Sequence, residues 1–188
     1  MKFPIILITA AVVALGGFIF HDKILPARAA SRIAAVQKKQ PVRSAREQYA
    51  AMHDGTWSWI YGTISAITRD GQIVILQDGS PVHITGDRGL TTGTLLKGYF
   101  ISDGIYEQAA SGGNKDRLKN YVPLAEADAA FVRRSDAYYQ LHMDLMTGRA
   151  DAGTDQKIKE LIAMHEQLKS EGVPLKDIDL SRLQRRSP

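Results

Sequence analysis

The sequence predicts an α+β protein with an N-terminal transmembrane helix, a small antiparallel β-barrel and a C-terminal helical hairpin. Three observations predict it. Phe3 to Phe20 is an apolar run of 18 residues without a charge. From Trp57 to Tyr121, short strand-like runs alternate with glycines and Asp-Gly pairs. Beyond Leu124, apolar residues recur at helical spacing.

A helix as long as the first run reaches ~27 Å at ~1.5 Å per residue, close to the ~30 Å hydrocarbon thickness of a bilayer. Residues 1–23 therefore read as a membrane anchor or signal segment. The run is long for a cleaved signal, whose apolar part usually spans ~7–15 residues. Ala27-Arg28-Ala29 nevertheless resembles a small-x-small cleavage site, so secretion after cleavage near Ala29 stays open. Orientation is a conflict. Cations that closely follow the span favour a cytoplasmic C-terminal part, whereas Met1-Lys2 before an apolar run is the layout of an export signal. The reading carried forward is a single pass through a bacterial inner membrane with a periplasmic soluble part.

Residues 24–55 read as a basic helical stem. Lys23, Arg28, Arg32, Lys38, Lys39, Arg43 and Arg46 lie between positions 23 and 46, with no acid among them. From Gly55 to Pro188, 16 Lys and Arg face 17 Asp and Glu, so the net charge of +4 belongs to the stem. Lys23, Arg28, Arg32, Lys38 and Lys39 are accordingly candidate contacts for anionic lipid headgroups; the plainer alternative is a solvated linker. Ala27 to Gln40 is alanine-rich and favours helix. Pro41 breaks it, and Ser44 with Glu47 has the spacing of a capping box.

Residues 56–122 predict the barrel. Trp57, Trp59 and Tyr61 alternate with Ser58, Ile60 and Gly62 at the head of a strand running to Ile67. Further strands are expected at Gln72–Gln77, Pro81–Thr85, Leu95–Ser102, Ile105–Glu107 and Leu118–Leu124. Asp70-Gly71, Asp78-Gly79 and Asp103-Gly104 read as hairpin turns, because Asp and Gly tolerate the positive φ such turns need. Five or six short strands either leave edges exposed or curl closed. With Tyr61-Gly62-Thr63-Ile64 and Gly93-Thr94-Leu95-Leu96-Lys97-Gly98-Tyr99-Phe100-Ile101, this stretch resembles the OB-fold-like barrels of bacterial envelope proteins. The likeness is one of strand and glycine rhythm over a third of the chain, and an SH3-like barrel would give much the same string. It implies a binding or docking module, not a particular function.

Residues 123–172 predict two helices. Phe131, Tyr138, Leu141 and Leu145 mark the first. Thr154 or Asp155 caps the second, where Ile158, Leu161, Ile162, His165 and Leu168 form one face that Gly172 and Pro174 end. The last stretch, 173–188, is a basic tail.

The chemistry is sparse. The chain has no cysteine, which excludes disulfides, thiolate metal sites and cysteine nucleophiles. Its five histidines show no metal-binding helical spacing, and no phosphate loop or serine elbow occurs. No cofactor, metal or enzymatic activity is expected. The candidate ligand-binding residues are aromatic: Trp57, Trp59, Tyr61, Tyr99 and Tyr106. Exposed, they would stack on sugars or bases or dock an apolar partner; the competing reading places them in the barrel core. The expected role is a membrane-anchored docking or assembly module with the lipid bilayer and another envelope protein as partners. The alternative is binding of oligosaccharide or single-stranded nucleic acid, with nucleic acid disfavoured by the near-neutral charge beyond Gly55.

Overall fold

The computed structural model describes residues 25–86, 89–109, 115–147 and 153–178, and these form an α+β structure of four helices and a five-stranded sheet. The predicted anchor at 1–23, Lys23 included, lies outside the described residues. Among the described residues no helix is long and apolar enough to cross a membrane.

The chain divides into two units that cut across the sequence-based boundaries. The stem is split at its proline: residues up to Pro41 belong with the sheet (58–123), and residues 42–57 belong with the C-terminal helices (124–188). Pro41 ends the first helical stretch as expected, but the second half of the stem is an independent short helix with its own core to join.

In the first unit, helix α1 (Leu25–Lys38) accompanies strands β1 (Ser58–Ile67), β2 (Gly71–Leu76), β3 (Pro81–Thr85), β4 (Leu95–Ala109) and β5 (Lys115–Pro123). Each strand has two neighbours, and the sheet closes in the order β1-β2-β3-β5-β4. Closure leaves no free edge. The expected all-antiparallel arrangement is corrected at one seam: β3 and β5 run parallel, with His83 opposite Asn120. Ile60, Ile64, Val74, Val82, Ile84, Leu96, Phe100 and Tyr121 fill the interior. Their period-two spacing is that of one buried sheet face.

The three Asp-Gly pairs have three different structures. Asp78-Gly79 is the turn expected: Gly79 has φ +83°, and the Ser80 amide donates to Asp78 Oδ1 at 2.9 Å. Gly71 instead lies inside β2, with no positive φ; a Cβ there would stand 2.0 Å from the Ile84 carbonyl oxygen, so glycine permits close approach of β3. Asp103-Gly104 does not separate two strands. It is a bulge within the single 15-residue β4, where pairing shifts register between Ser102 and Ile105 and Gly104 takes φ +74°.

In the second unit, α2 (Ala45–His53), α3 (Glu126–Thr147) and α4 (Thr154–Ser170) share one core. The capping box is present: the Ser44 amide donates to Glu47 Oε2 at 2.8 Å, and the Glu47 amide donates to Ser44 Oγ at 3.4 Å. Phe131, Tyr138 and Leu145 meet Ile158, Leu161 and Leu168. Gly153, not Thr154 or Asp155, is the N-cap of α4; Thr154 is already helical and buried. Gly172, at φ +86°, ends α4, and the Val173 amide closes back on the Leu168 carbonyl at 3.0 Å.

Candidate functional site

The predicted aromatic row is divided among three environments. Trp57 precedes β1. Its amide donates to the Ala51 carbonyl at 3.0 Å, which draws it into the helical unit, where it is 2% exposed. The Arg43 guanidinium lies 5.6 Å from its ring centre, and Arg43 also stands 3.8 Å from the buried Asp128, which accepts from Gln48 Nε2 at 2.8 Å. Trp57 is thus a core residue and not part of an exposed platform.

Trp59, Tyr61 and Tyr99 do come together. Ile60, Gly62 and Ile64 of β1 face inward, so Trp59, Tyr61 and Thr63 face outward. Antiparallel pairing sets Trp59 opposite Tyr99, Tyr61 opposite Lys97 and Thr63 opposite Leu95. The Trp59 and Tyr99 rings meet edge to face with centroids 4.9 Å apart. Trp59 is 50% exposed and Leu95 53%, both large apolar side chains left in water. Directly opposed pairs on one sheet face support one another, so this ladder is a rigid apolar surface with one ammonium in its middle.

Tyr106 belongs to a different place. Its ring stacks on the His83 imidazole at 3.6 Å between centroids, with planes 4° apart. His83 points away from the barrel core, yet it is wholly buried. The Asn120 amide fixes its state. Asn120 Nδ2 donates to Asp103 Oδ2 at 3.0 Å, leaving Oδ1 to accept from Thr85 Oγ1 at 3.0 Å and from His83 Nδ1 at 2.7 Å. The proton therefore sits on Nδ1, and Nε2 accepts from the Thr68 hydroxyl at 2.9 Å. Burial holds the His83 pKa below its ordinary value; the Asn120 hydrogen bond and Asp70, 3.5 Å from Nε2, pull the other way. A neutral Nε2 has no proton for Asp70, and Asp70 Oδ1 is buried without a hydrogen bond.

The stem arginines close this region. Arg32 Nε donates to Asp103 Oδ2 at 2.6 Å, which folds the Arg32 side chain onto the barrel. Arg28, one turn earlier, shares a cavity of about 310 Å³ with Arg32, Arg69, Asp70 and Tyr106. Lys38 and Lys39, at the far end of α1, are exposed. The Asp103 bulge is what aims a carboxylate at both Asn120 and Arg32.

Sequence reading did not find this network. Its signal was faint: Val82-His83-Ile84-Thr85 puts two polar residues on the face opposite two core residues.

The helical unit holds a wider cavity of about 520 Å³, walled by Tyr49, Tyr138, Tyr139, His142, Met146 and the segment 174–178. The Tyr138 hydroxyl and His165 Nδ1 bond at 2.9 Å beside it, and burial lowers the His165 pKa. Among the described residues no three His, Asp or Glu side chains are grouped to hold a metal ion.

Comparison with protein-family models, with curated proteins and with solved structures finds no match to this chain.

Proposed function

We propose that this chain is a tethered, non-enzymatic docking module of a bacterial envelope, working through the outer face of its barrel. The carrying observation is the ladder of Trp59, Tyr61 and Tyr99 with Leu95 and Lys97. Water-exposed aromatics held rigid by cross-strand pairing lose little entropy on binding and are typical binding anchors. The partner this face suits is a protein surface with an apolar centre and a carboxylate placed for Lys97. The apolar run from Phe3 to Phe20 supplies the tether, anchored in the inner membrane with the barrel on the periplasmic side. Tethering raises the effective concentration for a partner in the same membrane.

The strand order β1-β2-β3-β5-β4 with its parallel β3–β5 seam supports an OB-like module over an SH3-like one, because it is a partly crossed five-stranded barrel and not a simple meander. The second reading, oligosaccharide binding, draws on the same exposed Trp59, since sugars also stack on aromatic faces.

The test compares full-length chain with the Trp59→Ala/Tyr99→Ala double variant, extracted gently from native membranes. Wild type is expected to migrate as part of a larger assembly, and the variant as a smaller species with an unchanged far-UV spectrum. Equal sizes for both would refute docking through this face. Quenching of Trp59 by soluble oligosaccharide, with no size change, would favour the second reading.

A further inference from the structure

The cavity of the helical unit has no part in the docking role. At about 520 Å³ it falls within the about 300–1,000 Å³ typical of small-molecule sites. Tyr49 reaches it from α2, and Tyr138, Tyr139 and His142 reach it from α3. The segment 174–178, which follows α4, forms the remaining wall. The rings brace one another. Tyr138 meets Tyr139 edge to face with centroids 5.2 Å apart, and it lies 6.1 Å from the His142 ring with planes 26° apart. A planar ring that enters meets aromatic surfaces already ordered, which removes part of the cost of binding.

The polar groups on these walls divide into two kinds. The Tyr138 hydroxyl is bonded to His165 Nδ1 at 2.9 Å, and the Tyr49 and Tyr139 hydroxyls are bonded to each other at 3.3 Å. Asp177, the only carboxylate among the described wall residues, is paired with Lys169 at 2.6 Å. Lys176 and His142 are the other kind. Among the described residues no acid pairs with the exposed Lys176 ammonium, and neither ring nitrogen of half-buried His142 makes a hydrogen bond. With Asp177 matched by Lys169, the unmatched charge on the cavity is that of Lys176, and it is positive.

The segment 174–178 is the wall that can yield to admit a ligand. Leu175 and Ile178 pack on the helical core, but the Lys169–Asp177 pair is the one side-chain bond, among the described residues, that ties the segment to a helix. An anion on Lys176 whose ring lies against the tyrosines of α2 and α3 would add a second tie. We infer that this cavity binds a small aromatic carboxylate, with its ring between those tyrosines and the segment 174–178 and its carboxylate on Lys176 and His142. The site lies wholly within the helical unit and does not rest on the aromatic ladder of the barrel.

Calorimetry on the full chain in maltoside micelles tests it, with the heats of micelles alone subtracted. The probes share one ring system and differ in charge: indole-3-acetate, indole-3-ethanol and tryptamine. At about pH 7.5 the acid is expected to bind about fivefold tighter than the alcohol, the modest margin of an exposed ion pair, and tryptamine weakest of the three. Lys176→Gln should remove the advantage of the acid and leave the alcohol unchanged. Met146→Trp, which fills the space, should weaken all three probes. An unchanged thermal midpoint confirms folding, and Pro174→Trp, at an exposed position on the rim, repeats the blockade if Met146→Trp lowers that midpoint. Trp59→Ala should leave every affinity unchanged, which separates this site from the docking face. No binding of indole-3-acetate, equal affinity for acid and alcohol, or a preference that survives Lys176→Gln overturns the inference.

Discussion

His83 shows how one side chain can organise a region without being its reactive group. Its ring is wholly buried, with Nδ1 committed to Asn120, Nε2 to Thr68 and one face to Tyr106. Such a residue makes stability depend on pH. Burial lowers the folded-state pKa, so as pH falls through about 6.5 the unfolded chain takes up a proton that the folded chain refuses. The folded state is then disfavoured, until pH drops below the folded-state pKa and the loss levels off. His165 acts in the same direction. The denaturant midpoint of the chain should therefore fall between pH 8 and pH 5.5, and fall less in a His83→Gln variant. The lowered carboxylates Glu47, Asp54, Asp78, Glu107 and Asp177 titrate below this window and do not confuse it. A midpoint flat across that range in wild type would contradict the assignment of buried neutral imidazoles. None of this was legible in sequence, because a lone histidine among valine and isoleucine is silent about which ring nitrogen finds which partner.

At the scale of the element, the strands were readable and their joints were not. Alternation placed β1, β2 and β3 within a residue or two, since period two is dictated by one wet and one dry face. Asp-Gly was ambiguous because the dipeptide announces backbone freedom and not its use. At Gly79 the freedom serves a turn, at Gly71 a close strand approach, and at Gly104 a bulge. The bulge has the larger consequence, for it turns Asp103 onto Arg32 and Asn120. Gly104→Ala meets no atom within 4 Å but must hold φ +74°, so the substitution tests conformation alone. It should cost about 1–2 kcal/mol in urea unfolding. A cost near zero would mean that the bulge relaxes, and with it the placement of Asp103. The helices were the plainest reading of all: Ile158, Leu161, His165 and Leu168 are buried as their spacing required.

For the whole molecule, the sequence-based division into stem, barrel and helices followed composition, whereas the units follow burial. The stem looked uniform because its charge is uniform. Its first half folds onto the barrel through Arg32 and through Gln37, whose Nε2 donates to the Pro123 carbonyl at 3.0 Å. Its second half joins the helical core through Tyr49, Met52 and the buried Gln48–Asp128 bond. Trp57 follows the same logic. Two residues from Trp59 and alike in chemistry, it is claimed by the other unit through one backbone bond to Ala51. The candidate aromatic site was therefore half legible: alternation put Trp59 and Tyr61 on one face of a strand, while the pairing of that strand with Tyr99 and the loss of Trp57 to the helices depended on contacts that no periodicity encodes.

The most direct test places a photo-crosslinking amino acid at Trp59 in the full-length chain within native membranes, and for comparison at the fully exposed Val42 in the helical unit. A discrete protein adduct is predicted from position 59, absent from position 42, and lost when Lys97→Glu reverses the charge in the middle of the ladder. The same adduct from both positions, or one at 59 indifferent to Lys97→Glu, would contradict docking through the outer face of the barrel.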